Sequence, residues 1–560
     1  SIVSAPKTGT LNNIVIFIRF SGESEFGRLV SGYDTMFNPT TGNSMRNYFY
    51  EVSYNQLTVS STFYPAASGG YVVSYQDSHP RGYFQPYNAV TNPIGYTSDA
   101  DSTAREHTLL ANAVNSVGSQ VPSGLNIDAD GDGRVDSVCF IVKGSPGAWA
   151  DLLWPHQWSL YSVTAYINSK RVYTYSFQLE TSLDSAGNGV LCHEMFHVLG
   201  SPDLYHYTNQ GVLQPVHKWD LMEWNLNPPQ HMGAYMKKRY GTWIADIPTI
   251  TSSGTYSLNP LTSSTNNARK INSPHSSSEY FIVEYRKRTG QFETSLPGEG
   301  LLVYRINSAR DGQGNANGPP DEVYIYRPGG TVSANGTPSS ANFSSTVGRT
   351  AINDSTNPSS FLSTGSAGGL NISNIGAAGD TISFTVTIAG TGTPQAQITS
   401  LWPVSGATAG GTSVLWAQVQ NTGSVTMPSD ARVWFYVTGP SWSGTNWVGS
   451  ASISGLTPGS SAWYSYSWPI PGSAAAGTYT YWAQAWTTST NISPWSASQT
   501  FTVSTAGGTP QATILSLWPV SGATAGGTSR LWAQVQNTGS VTMPSDARVW
   551  FYVDGPSWSG

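Results

Sequence analysis

Charge is scarce in this 560-residue chain, where only 10% of residues are Asp, Glu, Lys or Arg. The 26 basic residues are outnumbered by 32 acidic ones, the formal charge is -6, and no basic cluster offsets it. A nucleic-acid backbone therefore finds no electrostatic footprint, and no nucleic-acid partner is expected. Long apolar runs are missing as well. The longest lies within Asn12–Phe20, well short of the roughly 20 residues that cross a bilayer, so no transmembrane segment is expected. Only two cysteines occur, Cys139 in an apolar stretch and Cys192 just before a histidine. A strand beside a helix would bring them together as a disulfide, and two buried free thiols fit the sequence equally well. Neither a signal peptide nor an initiator methionine stands at Ser1. If the protein is secreted, its signal and any pro-segment have been removed.

Trp, Tyr, Ser, Thr, Gly and Asn carry the surface instead, a composition suited to an extracellular, β-rich protein. At this length several domains are expected. The most informative run is His193-Glu194-Met195-Phe196-His197-Val198-Leu199-Gly200-Ser201-Pro202-Asp203. On a helix, His193 and His197 lie one turn apart on one face, a spacing that grips one Zn²⁺. Glu194 is placed as general base toward a metal-activated water. Gly200 permits a sharp exit from the helix, and Asp203 then swings back as third ligand, leaving a fourth position open. The surrounding residues are apolar almost all round. The helix is therefore expected to be buried, and buried histidines need partners.

Three residues compete for the third ligand position. Glu223 lies in a stretch without helical period that ends in prolines, and His206 stands at the wrong distance from the glycine turn. Asp203 occupies the place where metzincins carry their third histidine. Met222, in Trp219-Asp220-Leu221-Met222, suits a Met-turn beneath the metal and also suits ordinary core packing.

The pattern HExxHxxGxxD followed by WDLM resembles the immune inhibitor A-type secreted metalloproteases, a metzincin-like group with aspartate as third ligand. Tyr54–Val59, Asp130–Asp136, Trp154–Trp158, Glu279–Arg286 and Leu296–Val303 resemble further family segments in the same order. The resemblance spans about residues 10–388 and departs from the pattern at Pro155 and Glu223. It implies a secreted zinc endopeptidase acting on protein or peptide substrates.

Asp128-Ala129-Asp130-Gly131-Asp132-Gly133-Arg134-Val135-Asp136 reads as a second, calcium site. Asp128, Asp130, Asp132 and Asp136 supply carboxylates and Arg134 a carbonyl, with a structural role for Ca²⁺. Position 12 of the loop is Cys139, so this is not an EF-hand.

The expected architecture is multidomain α+β. Residues 1–245 form a metzincin-like α/β catalytic domain, with helices at 44–50, 103–117, 189–199 and 231–244. Residues 246–389 form a β-rich domain packed on it, in which loop 311–320 is flexible, holds an ion or edges the cleft. A linker at 390–393 leads to an immunoglobulin-like β-sandwich repeat at 394–504. A second linker, 505–509, leads to a partial second repeat at 510–560. Residues 394–444 recur as 510–560 with four differences: Gln397/Thr513, Thr399/Leu515, Val414/Arg530 and Thr438/Asp554. The partial copy implies either a longer natural chain or strand addition from another subunit. Such repeats act as spacers or bind cell surfaces, glycans or one another. Trp402, Trp416, Trp434, Trp442 and Trp447 are candidate sugar platforms, several of which must be core. The rival reading is an extracellular surface or filament-forming structural protein that retains a protease-like domain.

Overall fold

The computed structural model describes residues 5–209, 211–388, 393–505, 510–539 and 541–556. Residues 390–392 and 506–509 of the expected linkers, and Gly560, lie outside the described residues. Two compact units are present, Ser1–Ile388 and Ala389–Gly560. The chain is mostly β, and among the described residues no helix is long and apolar enough to cross a membrane.

The first unit is built on strands β1 (Gly9–Arg19), β2 (Leu57–Tyr64), β3 (Tyr75–Gln76), β4 (Ser137–Val142) and β5 (His156–Ser159). A small hairpin follows, β6 (Ala165–Ile167) and β7 (Lys170–Val172), and then β8 (Thr174–Leu179). The sheet order is β2-β1-β4-β8-β5, with β3 also pairing β1. All its ladders are parallel except β5 against β8. Its helices are α1 (Val30–Phe37), α2 (Met45–Val52), α3 (Asp99–Val117), α4 (Glu180–Ala186), α5 (Asn188–Val198) and α6 (Ala234–Arg239). Side chains alternate across a strand, and β1 shows the consequence. Ile14, Ile16 and Ile18 pack with Leu110 and Val114 of α3. Leu11, Val15 and Phe17 pack with Phe49 of α2 and Phe196 of α5. Helices cover both faces, so the strand is continuously apolar.

The following strands are β9 (Gly254–Leu258), β10 (Ala268–Asn272), β11 (Glu279–Arg286), β12 (Gly300–Asn307), β13 (Val323–Ile325), β14 (Ile372–Ser373) and β15 (Ile382–Val386). They form the sheets β10-β11-β12-β13 and β14-β15-β9. One face of the four-stranded sheet, with Ile282, Leu302, Tyr304 and Ile306, joins the core that holds α5. The other face, with Phe281, Val283 and Val303, forms a separate core. Residues 5–388 therefore share a hydrophobic interior across residue 245.

Two expectations change. The helix expected at 231–244 is confined to Ala234–Arg239. Tyr240 N and Gly241 N both close on the Met236 carbonyl, and Thr242 follows at φ 58°, which no helix continues. Cys139 and Cys192 are buried free thiols, not a disulfide.

The second unit contains a sandwich. A three-stranded sheet (Ala396–Leu401, Thr412–Asn421, Ser461–Pro469) faces a five-stranded one (Ala407–Thr408, Gln499–Ser504, Gly477–Trp486, Arg432–Gly439, Trp442–Ser452). Leu415, Phe435, Tyr481 and Val503 fill the interior. Trp402, Trp416 and Trp447 are exposed, whereas Trp442 packs on Trp468 and Trp434 stacks on Trp486. The partial copy forms the hairpin Ala512–Leu517 with Ala533–Asn537. Phe435 is 0% exposed and its counterpart Phe551 44%.

Candidate metal centre and cleft

Helix α5 begins after Gly187, whose φ of 58° and close approach to the Asn227 side chain leave no room for a Cβ. It ends in a Schellman turn, in which Gly200 N bonds to the His197 carbonyl at 2.8 Å and Ser201 N to the Phe196 carbonyl at 3.1 Å. With Gly200 at φ 99°, the chain reverses and carries Asp203 back to the histidines. His193 Nε2 and His197 Nε2 are 3.1 Å apart, and each is 3.1 Å from Asp203 Oδ1.

The tautomers follow from the other ring nitrogens. His193 Nδ1 faces the Leu221 carbonyl at 3.0 Å, and His197 Nδ1 faces the Ser201 carbonyl at 2.7 Å. A carbonyl only accepts, so each Nδ1 carries the hydrogen, and in the neutral rings both Nε2 atoms are bare. Two bare nitrogens and a carboxylate oxygen in mutual contact repel unless a cation joins them. Ligands of a tetrahedral zinc at about 2.0–2.1 Å stand roughly 3.3 Å apart, so the three atoms fit one small divalent ion. Without a metal, a proton does the same work. Burial disfavours charge on His197, yet Asp203 overrides it and lifts the imidazole to about 9. Burial likewise opposes ionisation of Asp203, but His197 and His193 hold its carboxyl far below the usual range. Tyr207 Oη donates to Asp203 Oδ2 at 2.7 Å, orienting the carboxylate.

Glu194 is buried and lines the same cleft. Burial raises its pKa, with His193 and His197 pulling the other way. Met222 is fully buried in the core, and the turn around it reaches the site through backbone. Leu204 N donates to the Met222 carbonyl at 2.9 Å. The two competitors are committed elsewhere. His206 pairs with Asp321 at 2.6 Å, and Glu223 accepts from Val216 N and His217 N, both at 2.6 Å.

The site opens into a cleft of about 1460 Å³. One wall is β5, the antiparallel edge of the sheet, whose His156, Gln157, Trp158 and Ser159 all contribute to the cleft lining. His156 donates from Nδ1 to the Trp154 carbonyl (2.5 Å) and from Nε2 to Glu106 Oε1 (2.9 Å), so both ring nitrogens are used. Burial opposes its charge, but Glu106 raises its pKa. Loop 311–320 edges the cleft through Gly312, Gln313 and Ala316. It is pinned there, since Asn315 N bonds to the Asp203 carbonyl and Tyr207 N to the Ala316 carbonyl, both at 2.9 Å.

In the acidic loop, Asp128, Asp130 and Asp136 bring one oxygen each within 4.8 Å of one another. Asp128 Oδ1 is buried without a hydrogen-bond partner, and Asp128 Oδ2 takes Lys170 Nζ at 2.6 Å. Burial, and then the neighbouring aspartates, push Asp136 up to about 6. An orphaned buried oxygen among three carboxylates suits a hard cation. Asp132 turns aside from this trio and caps its own turn, its Oδ1 accepting from Arg134 N at 2.8 Å. The Arg134 side chain leaves the loop and lies over the Tyr173 ring.

Sequence reasoning did not find Leu221, Ser201 or the role of Tyr207. Leu221 and Ser201 act through backbone carbonyls, which leave no residue-type signal.

Residues 393–491 match the CARDB family, and the C-terminal region accordingly contains a CARDB domain, an Ig-like β-sandwich. No curated protein matches the chain. Similar solved structures include a β-glucosidase from Kluyveromyces marxianus (14% identity, 20% of this chain, 15% of that chain, TM-score 0.14). Another is the CARDB domain of a Pyrococcus furiosus protein in complex with di-metal ions (18% identity, 20% and 93%, TM-score 0.14). A third is a GH3 β-glucosidase from Bifidobacterium adolescentis (21% identity, 20% and 17%, TM-score 0.15). The chain thus spans less than a fifth of either β-glucosidase.

Proposed function

We propose that the protein is a secreted zinc endopeptidase whose CARDB region serves surface attachment or spacing. The observation that carries this reading is the contact of two bare imidazole nitrogens with Asp203, beside buried Glu194, in an open cleft. Zinc, when bound by His193, His197 and Asp203, would acidify water and polarise a peptide carbonyl. The chain's own groups do the rest. Glu194 takes the proton of the attacking water on its carboxylate and returns one to the leaving amine. The free edge of β5 accepts an extended substrate as an added strand, so main-chain hydrogen bonds hold the peptide and side-chain pockets select it. Leu221 and Ser201 keep the imidazoles in the ligating tautomer, and Tyr207 fixes Asp203.

The resemblance to immune inhibitor A-type proteases supports the same chemistry. The acidic loop is proposed to take Ca²⁺ through Asp128, Asp130 and Asp136 as a structural ion. The exposed tryptophans of the CARDB region favour a second role in contact with a cell surface, a glycan or another copy of the chain. The low charge and β-rich composition support an extracellular location.

The test is cleavage of unfolded casein by the chain and by Glu194→Ala, each with and without a zinc chelator. Activity lost in both cases is expected. An inactive, zinc-loaded, folded wild type would turn the reading to a structural surface protein.

A further inference from the structure

Arg134 and Arg171 attend the same ring. Their guanidinium carbons lie 4.4 and 5.1 Å from the centroid of Tyr173, which with Arg134 lines the cleft wall. Backbone pairing fixes both arginines, since Val135 N bonds to the Arg171 carbonyl at 2.9 Å and Arg171 N to the Gly133 carbonyl at 3.0 Å. Neither makes an ion pair among the described residues. Arg134 Nη1 and Arg171 Nε are buried without a hydrogen-bond partner. Two half-buried cations side by side repel, and orphaned guanidinium donors cost free energy unless an acceptor arrives. The four aspartates of the adjacent loop do not serve, because their carboxylates face one another, Lys170 or backbone amides. Of the two arginines, Arg134 lines the cleft, so a carboxylate entering there would meet its positive charge.

Position follows from β5. His156, the first residue of this strand, shares the cleft with Glu194 and lies within its electrostatic reach. Ser159, three residues on, is about 10 Å away at the strand rise. The next residue, Leu160, donates to the Tyr173 carbonyl at 2.6 Å. A peptide added antiparallel to β5, the commoner and firmer pairing, runs toward Glu194 in its N-to-C direction. Its residues alongside Tyr173 therefore precede the scissile bond. We infer that Arg134, with Arg171 behind the same tyrosine, forms a subsite for a carboxylate side chain about three to four residues N-terminal to the cleaved bond. This rests on the endopeptidase reading for its role but not for its binding chemistry. It also assigns the acidic loop a second task, because the loop backbone aims Arg134.

The experiment uses peptides that carry Glu, Gln or Lys at each of the five positions before a cleavable bond. They are assayed for kcat/KM on the wild type and for binding, by fluorescence anisotropy, to the inactive Glu194→Ala protein. Glu is expected to exceed Lys by about tenfold at the third or fourth position in both assays, with the preference weakening in salt. Arg134→Gln in either background should abolish that preference, so that the Glu, Gln and Lys peptides no longer differ, while Arg134→Lys should retain part of it. Arg171→Gln provides a second variant outside the acidic loop and should reduce the preference. Absence of a Glu preference, or an equal loss for Glu, Gln and Lys peptides in both variants, would overturn the subsite. Glu-selective, Arg134-dependent binding without any cleavage would uphold the subsite while removing the endopeptidase reading.

Discussion

The Nδ1 of His193 donates to the carbonyl of Leu221 at 3.0 Å, joining α5 to a turn 28 residues further along the chain. This bond fixes the tautomer that leaves Nε2 free, and the turn is itself held by Asp220. Asp220 Oδ1 accepts from Met222 N at 2.9 Å, and its Oδ2 from Gly233 N at 2.7 Å. Beyond the turn lies β11, whose Arg286 donates to the Trp219 carbonyl at 2.6 Å and to the His231 carbonyl at 3.1 Å. The support of the candidate metal centre therefore runs from the helix through a turn to the second sheet.

Glu194→Gln keeps the shape of the side chain but cannot take a proton. Casein cleavage should fall by about 10²–10⁴-fold while bound zinc, counted by elemental analysis, stays at the wild-type level. Equal loss of zinc would mean that Glu194 holds the site together and does not serve as the base.

Tyr207→Phe removes the donor to Asp203 Oδ2 without opening a cavity. Zinc affinity, measured by competition with a chromophoric chelator, should weaken by about 10–100-fold, the usual effect of losing such a supporting bond. Unchanged affinity would show that Asp203 is oriented by its chain turn alone.

Calcium should raise the melting temperature of the wild type, since an ion that binds only the folded state adds about 4 kcal/mol at a thousand times its Kd. Asp136→Asn should remove most of that rise, because it deletes one of the three converging charges. A calcium response equal to that of the wild type would place the ion elsewhere.

Arg286 is fully buried against Glu284 and Glu293. Arg286→Met strands two carboxylates and two carbonyls, and should cost on the order of 3–5 kcal/mol in urea unfolding. For the same reason a chain ending at residue 245 should fail to fold, as its solubility and circular dichroism would report.

Lys237 is buried, donates to His231 Nδ1 at 3.0 Å, and has its pKa lowered by burial to about 7, with Glu293 acting against the shift. In the unfolded chain it titrates near 10.5. Between those values the unfolded state binds more protons, so this group's contribution to stability rises with pH. Relative to Lys237→Met, the wild type should gain on the order of 3–4 kcal/mol from pH 7 to 10 in urea titrations. Parallel pH curves for the two proteins would mean that Lys237 stays charged in the fold.

Local chemistry made much of this protein legible from its residues. The one-turn spacing of His193 and His197, the glycine that ends α5 and the apolar flanks of that helix are short-range features, and they sufficed to nominate Asp203. Near-identity of residues 394–444 and 510–560 exposed the repeat, and β periodicity marked the sandwich. Tertiary structure decided whatever depends on backbone brought from afar. It chose free thiols for Cys139 and Cys192, and it turned Asp132 away from the acidic trio because its carboxylate caps its own turn. It shortened the helix at 231–244, where closure on the Met236 carbonyl outweighs the continuing apolar pattern. Residues 510–560 repeat only 394–444, so the strands 461–469, 477–486 and 499–504 of the first copy have no counterpart among them. Phe435 is therefore buried and Phe551 exposed, although their neighbours are nearly the same, because burial belongs to the strands that cover a residue and not to the residue itself.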